Sequence, residues 1–357
     1  MTAGFKVRYS IYALLLAMFI AALIMILTGS NPVSVYTAIF SGAFGSIDGF
    51  MSVLAYAIPL IMTGLGAVIA FQGGVFNIGG EGQLVIGGLF AAVTGVYCGL
   101  PWPFAMILAL IAGFIGGALW GLIPTAMVGK NTAALFVGTV MMNSIGNSFS
   151  EYMVKYHFLR KGASTTETER ILPGAVLPRI NPNTQFNYGI VITVLAVIGV
   201  AWFLYRTPKG FATRMVGTNA RAAAQAGLNA YKQTLLTMFL SGGICGVGGA
   251  IQILAIYNRW ILGFSPGYGW DGITVATLAG LNPFFVAITG FFFGILRSAS
   301  ISMNLSQAVP IDMISVLQGL VVIFVATPTL WDTLHNLIDI LVHRIRLKRM
   351  QKGVTER

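Results

Sequence analysis

Charge is what this sequence has least of. Asp, Glu, Lys and Arg together make up 9% of its 357 residues, against roughly 25% in an average soluble domain. A soluble fold of this length needs far more polar surface to cover its core, so that class is excluded. Histidine is also scarce. His157, His335 and His343 are scattered, with no H-E-x-x-H and no paired Cys/His spacing, which argues against a metal centre. The two cysteines, Cys98 and Cys245, sit inside apolar runs and cannot form a disulfide framework; they read as small buried hydrophobes. No G-x-x-x-x-G-K-[ST] loop occurs, since Gly129-Lys130-Asn131 lacks both the upstream glycine and the hydroxyl. No G-x-S-x-G elbow is present either. The chain is therefore expected to bind no cofactor and to hydrolyse no nucleotide by that route.

What is abundant is apolar sequence, at 56% of positions. A bilayer solvates such side chains directly, and a spanning helix needs about 20 of them. Runs of this kind lie at 11–28, 50–71, 82–100, 103–124, 132–154, 188–205, 234–256 and 309–327. A further stretch, 272–297, is broken by Asn282-Pro283 and is split into two short helices, because proline disfavours helix in the residue before it. The expected fold is all-α: a polytopic transmembrane bundle of about ten helices with one broken pair. Lys6 and Arg8 precede the first run without an A-x-A-like cleavage site, so that run reads as an uncleaved span.

The net charge of +11 raises the question of nucleic acid. Its distribution answers it. Most Lys and Arg fall in blocks between spans: 6–8, Lys130, 206–232 and 344–357, with Glu356 the one acid among them. That is the positive-inside pattern of cytoplasmic segments, so both termini are placed inside and 155–187 outside. No nucleic-acid partner is implied. Residues 331–343 pattern as an amphipathic helix on the inner surface, and 331–357 form it together with a basic tail.

Glycine pairs Gly117/Gly121, Gly242/Gly246 and Gly290/Gly294 have the G-x-x-x-G spacing that lets helices approach closely in lipid. Gly80-Glu81-Gly82 and Trp270-Asp271-Gly272 each precede an apolar run and follow a Gly-rich span, on opposite sides of the membrane. That is the pattern of an inverted repeat.

Three segments carry chemistry. Residues 73–83, G-G-V-F-N-I-G-G-E-G-Q, are too glycine-rich and polar for a lipid-facing helix. They read either as a site lining a cavity or as a tight turn in which Glu81 caps the next helix. Residues 206–232 contain basic residues and no acid; Thr218 or Asn219 can cap a helix over 220–226 and Gly227 can end it. That order favours a docking surface over a plain loop attracted to anionic lipid. The broken pair 272–297, with Asp271 at its start and Asn282 at its tip, aims helix dipoles and free backbone groups into the bilayer. Asn143 and Asn147, spaced i,i+4, share a helix face and serve equally as solute contacts or as glue between helices.

The run Val216-Gly217-Thr218-Asn219-Ala220-Arg221-Ala222-Ala223-Ala224-Gln225-Ala226-Gly227-Leu228-Asn229, with Lys232 and the glycines from Gly242 to Gly249, resembles the cytoplasmic signature of ABC importer permeases. The resemblance is to the branched-chain amino acid, simple sugar and nucleoside group. Gly74 to Gln83, G-V-F-N-I-G-G-E-G-Q, narrows it to the nucleoside branch, whose partner is a basic-membrane-protein-type lipoprotein. The ribose-type branch tends to carry I-D-L-S-V-G here, which this chain lacks.

The resemblance covers most of the chain. It implies a single membrane-spanning permease domain over 1–357, similar to cobalamin-importer permeases, in a bacterial cytoplasmic membrane. It also implies a second permease chain, identical or different, a separate ATPase that uses the ATP, and an external solute-binding protein or lipoprotein. The 155–187 loop is the expected docking surface for that protein. Gly217, Thr218, Asn219, Ala220, Arg221, Ala224, Gly227 and Leu228 are the expected coupling residues, which follow the ATPase as it closes. Asn77, Glu81, Gln83, Asn143, Asn147, Asp271 and Asn282 are the expected solute pathway. The rival reading is an ion-gradient transporter or channel using Glu81, Asp271 and Asp312. It has no need of the basic segment 206–232.

Overall fold

Helix boundaries in this chain are set by prolines, glycines and side-chain caps. The computed structural model describes residues 16, 18–27, 31–129, 132–305 and 319, without the side chains of 132 and 300–305. By contacts the chain divides into two units, Met1–Val35 with Val309–Arg357, and Tyr36–Ala308. In the first unit the described structure is a short apolar helix, α1 (Met18–Leu27), and the opening residues of α2 (Pro32–Phe44). Apart from residue 319, the expected span 309–327 lies outside the described residues, as do Asp312 and the 331–357 tail.

The second unit is helical throughout, with no strand among the described residues: α3 (Ile47–Gln72), α4 (Gly80–Tyr97), α5 (Phe104–Val128), α6 (Thr132–Met153), α7 (Gly189–Arg206), α8 (Pro208–Thr218), α9 (Ala220–Gln225), α10 (Ala230–Ile251), α11 (Tyr268–Leu278) and α12 (Pro283–Leu305). Wider π turns, Val154–Phe158 and Gln252–Tyr257, extend α6 and α10. Among the described residues, four helical stretches are long and apolar enough to cross a membrane: Ile47–Gln72, Phe104–Val128, Gly189–Arg206 and Ala230–Tyr257.

α3 is the central helix, and most of its apolar length is buried. Ser46 caps it by accepting from Gly49 N–H at 3.0 Å. The hydroxyl of Thr63 donates to the carbonyl of Pro59 at 2.9 Å, four residues back across the internal proline. α10 packs on α3, α4 and α5. Glycine makes this possible: a Cβ at Gly117 would meet the carbonyl of Gly242, and one at Gly87 would meet the Cα of Gly246. Without side chains at these crossings the backbones themselves are in contact, the close approach that stabilises helix pairs in lipid. Gly290 and Gly294 play the same part for α12 against Ile61, Val53 and Ala57 of α3.

The break between α11 and α12 falls where Asn282-Pro283 places it. Gly280 and Leu281 both have φ 60°, and the Asn282 side chain accepts from Phe284 N–H at 3.0 Å to start α12. Two helices had not been expected. α2 begins where Asn31 accepts from Val33 N–H with Pro32 as its first residue. α8 begins at Pro208, where the Thr207 hydroxyl accepts from Gly210 N–H at 3.0 Å. Residues 155–187 are an ordered cap rather than a loose loop, joined by bridges Leu159–Thr168, Glu167–Ile261 and Arg179–Asn187. Glu167 is 5% exposed and pairs with both Arg160 and Arg259.

Candidate functional site

The helix α3 ends at Gln72, and Gly74 turns the chain with φ 73°. Residues 75–79 then run back into the bundle without helical hydrogen bonds of their own. The Asn77 side chain meets Ser241 at 3.0 Å, and the Ser241 hydroxyl donates to the carbonyl of Gly66 at 2.7 Å. Gly66 lies six residues before the end of α3, about 9 Å along its axis. The segment thus reaches well inside the membrane-spanning bundle, where each polar group needs a protein partner.

Those partners are present. Asn77 accepts from Gly79 N–H at 2.9 Å and donates to the Gln83 side chain at 3.1 Å. Asn143 of α6 accepts from Gly82 N–H at 2.8 Å and donates to the carbonyl of Ile78 at 2.9 Å. The Thr139 hydroxyl accepts from Ile78 N–H at 3.2 Å. Asn77, Gln83 and Asn143 are all buried. Their hydrogen-bonding capacity holds the non-helical backbone in shape.

From the opposite end comes a second non-helical segment, 258–267, leading into α11. Its Phe264 packs against Gly88, and the carbonyl of Tyr268 accepts from the Thr63 hydroxyl at 2.9 Å, near the middle of α3. Here the two segments meet. Gly269 N–H donates to the Glu81 carboxylate at 2.7 Å, and Gly269 is so close that a Cβ there would run into the backbone of Glu81. Two helix N-termini, those of α4 and α11, therefore converge on one buried carboxylate, a favourable arrangement for negative charge.

Of the seven expected pathway residues, six gather around the start of α4. Asn143 and Asn147 approach it from α6, joined by an Asn147 to Asn143 carbonyl bond at 3.1 Å, and Asp271 approaches from α11. Asn147 is exposed and Asp271 partly so. Asn282 lies apart, at the tip of the broken pair, where Gln72 donates to the carbonyl of Leu281 at 3.0 Å. Sequence reading missed Arg297, a lone cation inside α12. Its guanidinium donates to the carbonyl of Pro266 at 2.9 Å and lies 5.6 Å from the ring centre of Tyr268. The available signal was a basic residue within a span, itself uncommon.

The basic segment is equally well defined. Asn219, rather than Thr218, caps α9 by accepting from Arg221 and Ala222 N–H at 3.0 and 3.1 Å; the Thr218 hydroxyl donates back to the carbonyl of Arg214. Gly227, with φ 83°, ends the helix as expected. Its N–H reaches the carbonyl of Ala224 and that of Leu228 reaches Ala223, the paired bonds of a Schellman cap. Apart from Ala223, every residue of α9 is exposed, including Ala220, Arg221 and Ala224. Gly217 anchors the segment, packed against Gln72 and Gly74.

The profile of the family described as branched-chain amino acid transport system / permease component matches residues 49–326. The chain belongs to this family. The guanosine ABC transporter permease protein NupP of Bacillus subtilis is 30% identical, with 88% of this chain and 91% of the relative aligned. The glucose ABC transporter permease protein TsgB13 of Haloferax volcanii is 27% identical over 89% and 86%. The nucleoside ABC transporter permease protein NupB of Lactococcus lactis is 26% identical over 90% and 91%.

The chain is thus a multi-pass membrane protein and the permease component of an ABC importer. Such a permease works with an ATPase, a further permease and a substrate-binding protein. The ion-gradient reading through Glu81, Asp271 and Asp312 is set aside by the same findings.

Proposed function

We propose that this permease imports nucleosides, and that α9 is the element through which a partner ATPase drives it. The observation that carries the coupling role is α9 itself: a capped, exposed six-residue helix tied through Gly217 to the segment that holds Glu81. A helix so short is marginal in isolation, yet its ends are fixed by Asn219 and Gly227. That serves a rigid contact on another protein better than a solvated loop. Gly217, Thr218, Asn219, Ala220, Arg221, Ala224, Gly227 and Leu228 form this contact.

Nucleosides as cargo are supported by the names of the Bacillus and Lactococcus relatives, with sugars the nearest competing class. The cargo arrives from a basic-membrane-protein-type lipoprotein or a periplasmic binding protein that docks on the 155–187 cap. Both termini lie in the cytoplasm, and the membrane is the bacterial cytoplasmic membrane. The second permease is the same chain or a different one. ATP is bound by the ATPase, and this chain holds no cofactor. Among the pathway residues, Asn147 and Asp271 retain exposed polar surface for solute, while Asn77, Gln83 and Asn143 shape the wall behind them.

The test is uptake of radiolabelled purine and pyrimidine nucleosides into proteoliposomes containing the whole importer, beside a Gly227→Asp variant. Uptake that requires ATP and is lost in the variant supports both parts. Uptake that persists without the ATPase and collapses with an ionophore sinks them.

A further inference from the structure

The coupling helix α9 uses only part of the basic segment. Arg206 and Arg214 come before it, and the sequence holds no acid between Glu169 and Asp271. Among the described residues the ion pairs are those of Glu167 in the 155–187 cap, so neither arginine has a counter-charge there. The Nε of Arg214 is buried and makes no hydrogen bond. A donor in that state is costly, the more so on a charged group at the edge of a bilayer.

Their position narrows what can join them. Val191, Leu195, Ile198 and Trp202 recur at helical spacing along the spanning helix α7, and all are exposed, Trp202 at 62%. An exposed apolar stripe on a spanning helix faces lipid. Arg206 follows Trp202 by four residues, hence on the same face, and is the last residue of α7. Tyr205, three residues after Trp202, borders the stripe, and the Arg214 guanidinium lies 5.4 Å from its ring centre. On α8, Phe211 is 55% exposed and shares a face with Arg214 three residues on. Two arginines thus stand at the end of the lipid-facing stripe, beside three aromatic rings of the kind that settle at headgroup depth.

We propose that Arg206 and Arg214 bind the phosphate of an anionic phospholipid in the leaflet nearest α9, with Trp202, Tyr205 and Phe211 packed along its glycerol and upper acyl chains. A guanidinium presents a planar fork of donors that matches phosphate oxygens, and an anionic membrane surface supplies them in quantity. Arg206 ends α7 whereas Arg214 belongs to α8, so one headgroup clamps the bend between them at Thr207. The bend matters because α8 leads into α9 and ends beside Gly217, which packs on Gln72 and Gly74. A clamped α8 passes motion of α9 to that contact with less slack. Anionic lipid therefore raises the solute moved per ATP hydrolysed, whatever the solute is.

The test places the complete importer in phosphatidylcholine nanodiscs that carry a rising share of brominated phosphatidylglycerol or brominated phosphatidylcholine. Trp202 is read as the part of the tryptophan fluorescence that Trp202→Phe removes. Each arginine near an anionic surface is worth about fivefold in binding. Half-quenching of wild type is therefore expected at a share of phosphatidylglycerol at least about tenfold below that of phosphatidylcholine. Arg206→Gln and Arg214→Gln are each expected to cost about fivefold of this preference, and the double variant to erase it. In proteoliposomes, phosphatidylglycerol is expected to raise transport per ATP about fivefold for wild type and to leave the double variant at its value in pure phosphatidylcholine. Equal half-quenching by the two lipids in wild type overturns the site. So does displacement of the brominated lipid by millimolar inorganic phosphate, which would make it a site for a free anion. Loss of the ATPase from the double variant on gel filtration would assign the arginines to that partner instead.

Discussion

Gly217 packs its Cα against the carbonyl of Gln72 and the amide of Gly74, leaving no room for a methyl group. At this point the segment bearing α9 touches the non-helical run that leads to Asn77 and Glu81. Gly217→Ala forces the two apart by roughly the width of a methyl. Solute transport per ATP hydrolysed is expected to fall about tenfold, a usual size for a coupling free energy. The measurement is uptake and hydrolysis in the same proteoliposomes. An unchanged ratio would show that this contact transmits nothing.

The cap on α9 gives a milder effect. Asn219→Ala removes the acceptor for Arg221 and Ala222 N–H, worth about 1 kcal/mol of helix stability. Hydrogen exchange over 220–226 is expected to speed up about fivefold, as that energy implies, with no change in the bundle. Protection that is unaltered would mean the helix is held by something other than its cap.

At the Glu81 junction, Glu81→Ala strands Gly269 N–H in the bundle interior. The loss of a buried hydrogen bond to a charged group is on the order of 1–3 kcal/mol, so the unfolding midpoint in detergent drops by several degrees. Glu81→Gln preserves an acceptor and is expected to retain most of that stability. Equal losses in both variants would assign the stabilisation to the charge rather than to the hydrogen bond.

Two glycine substitutions separate contact from composition. Gly246→Val drives a branched side chain into Gly113 and Gly117, and folded protein recovered by gel filtration is expected to vanish. Gly199→Ala meets nothing within 4 Å and is expected to stabilise α7 by about 0.5–1 kcal/mol through helix propensity. A folded Gly246→Val protein would refute the close α5–α10 crossing.

The length of the apolar runs located the long helices because a span must be apolar along its whole length. The split at Asn282-Pro283 and the end of α9 at Gly227 were equally readable, since both depend on local backbone chemistry. α2 escaped notice because its residues mix Ser, Thr and Gly with aromatics, and its start depends on a cap from Asn31. The meeting of Glu81 with Gly269 was not legible beyond a faint repeat. Its partners are 188 positions apart, and nothing in the local sequence around either one names the other. Asn77 and Gln83 stand out in the sequence as polar residues in a glycine-rich run, but their hydrogen-bond partners, which decide what they do, appear only in the folded bundle.

The Glu81–Gly269 bond also constrains biogenesis. Asn77 finds Ser241 across 164 positions, and Glu81 waits longer still for Gly269. Until α10 and α11 have been synthesised, α6 supplies Thr139 and Asn143 to the polar run after α3, but Ser241 and Gly269 are still missing from it, and lipid offers no substitute. Helices α3 to α7 cannot be released one by one as finished spans. The first half of the chain must be kept in a wet or protein-lined setting by the insertion machinery until the second half arrives, which makes completion of this permease a late, cooperative event rather than a sequential threading.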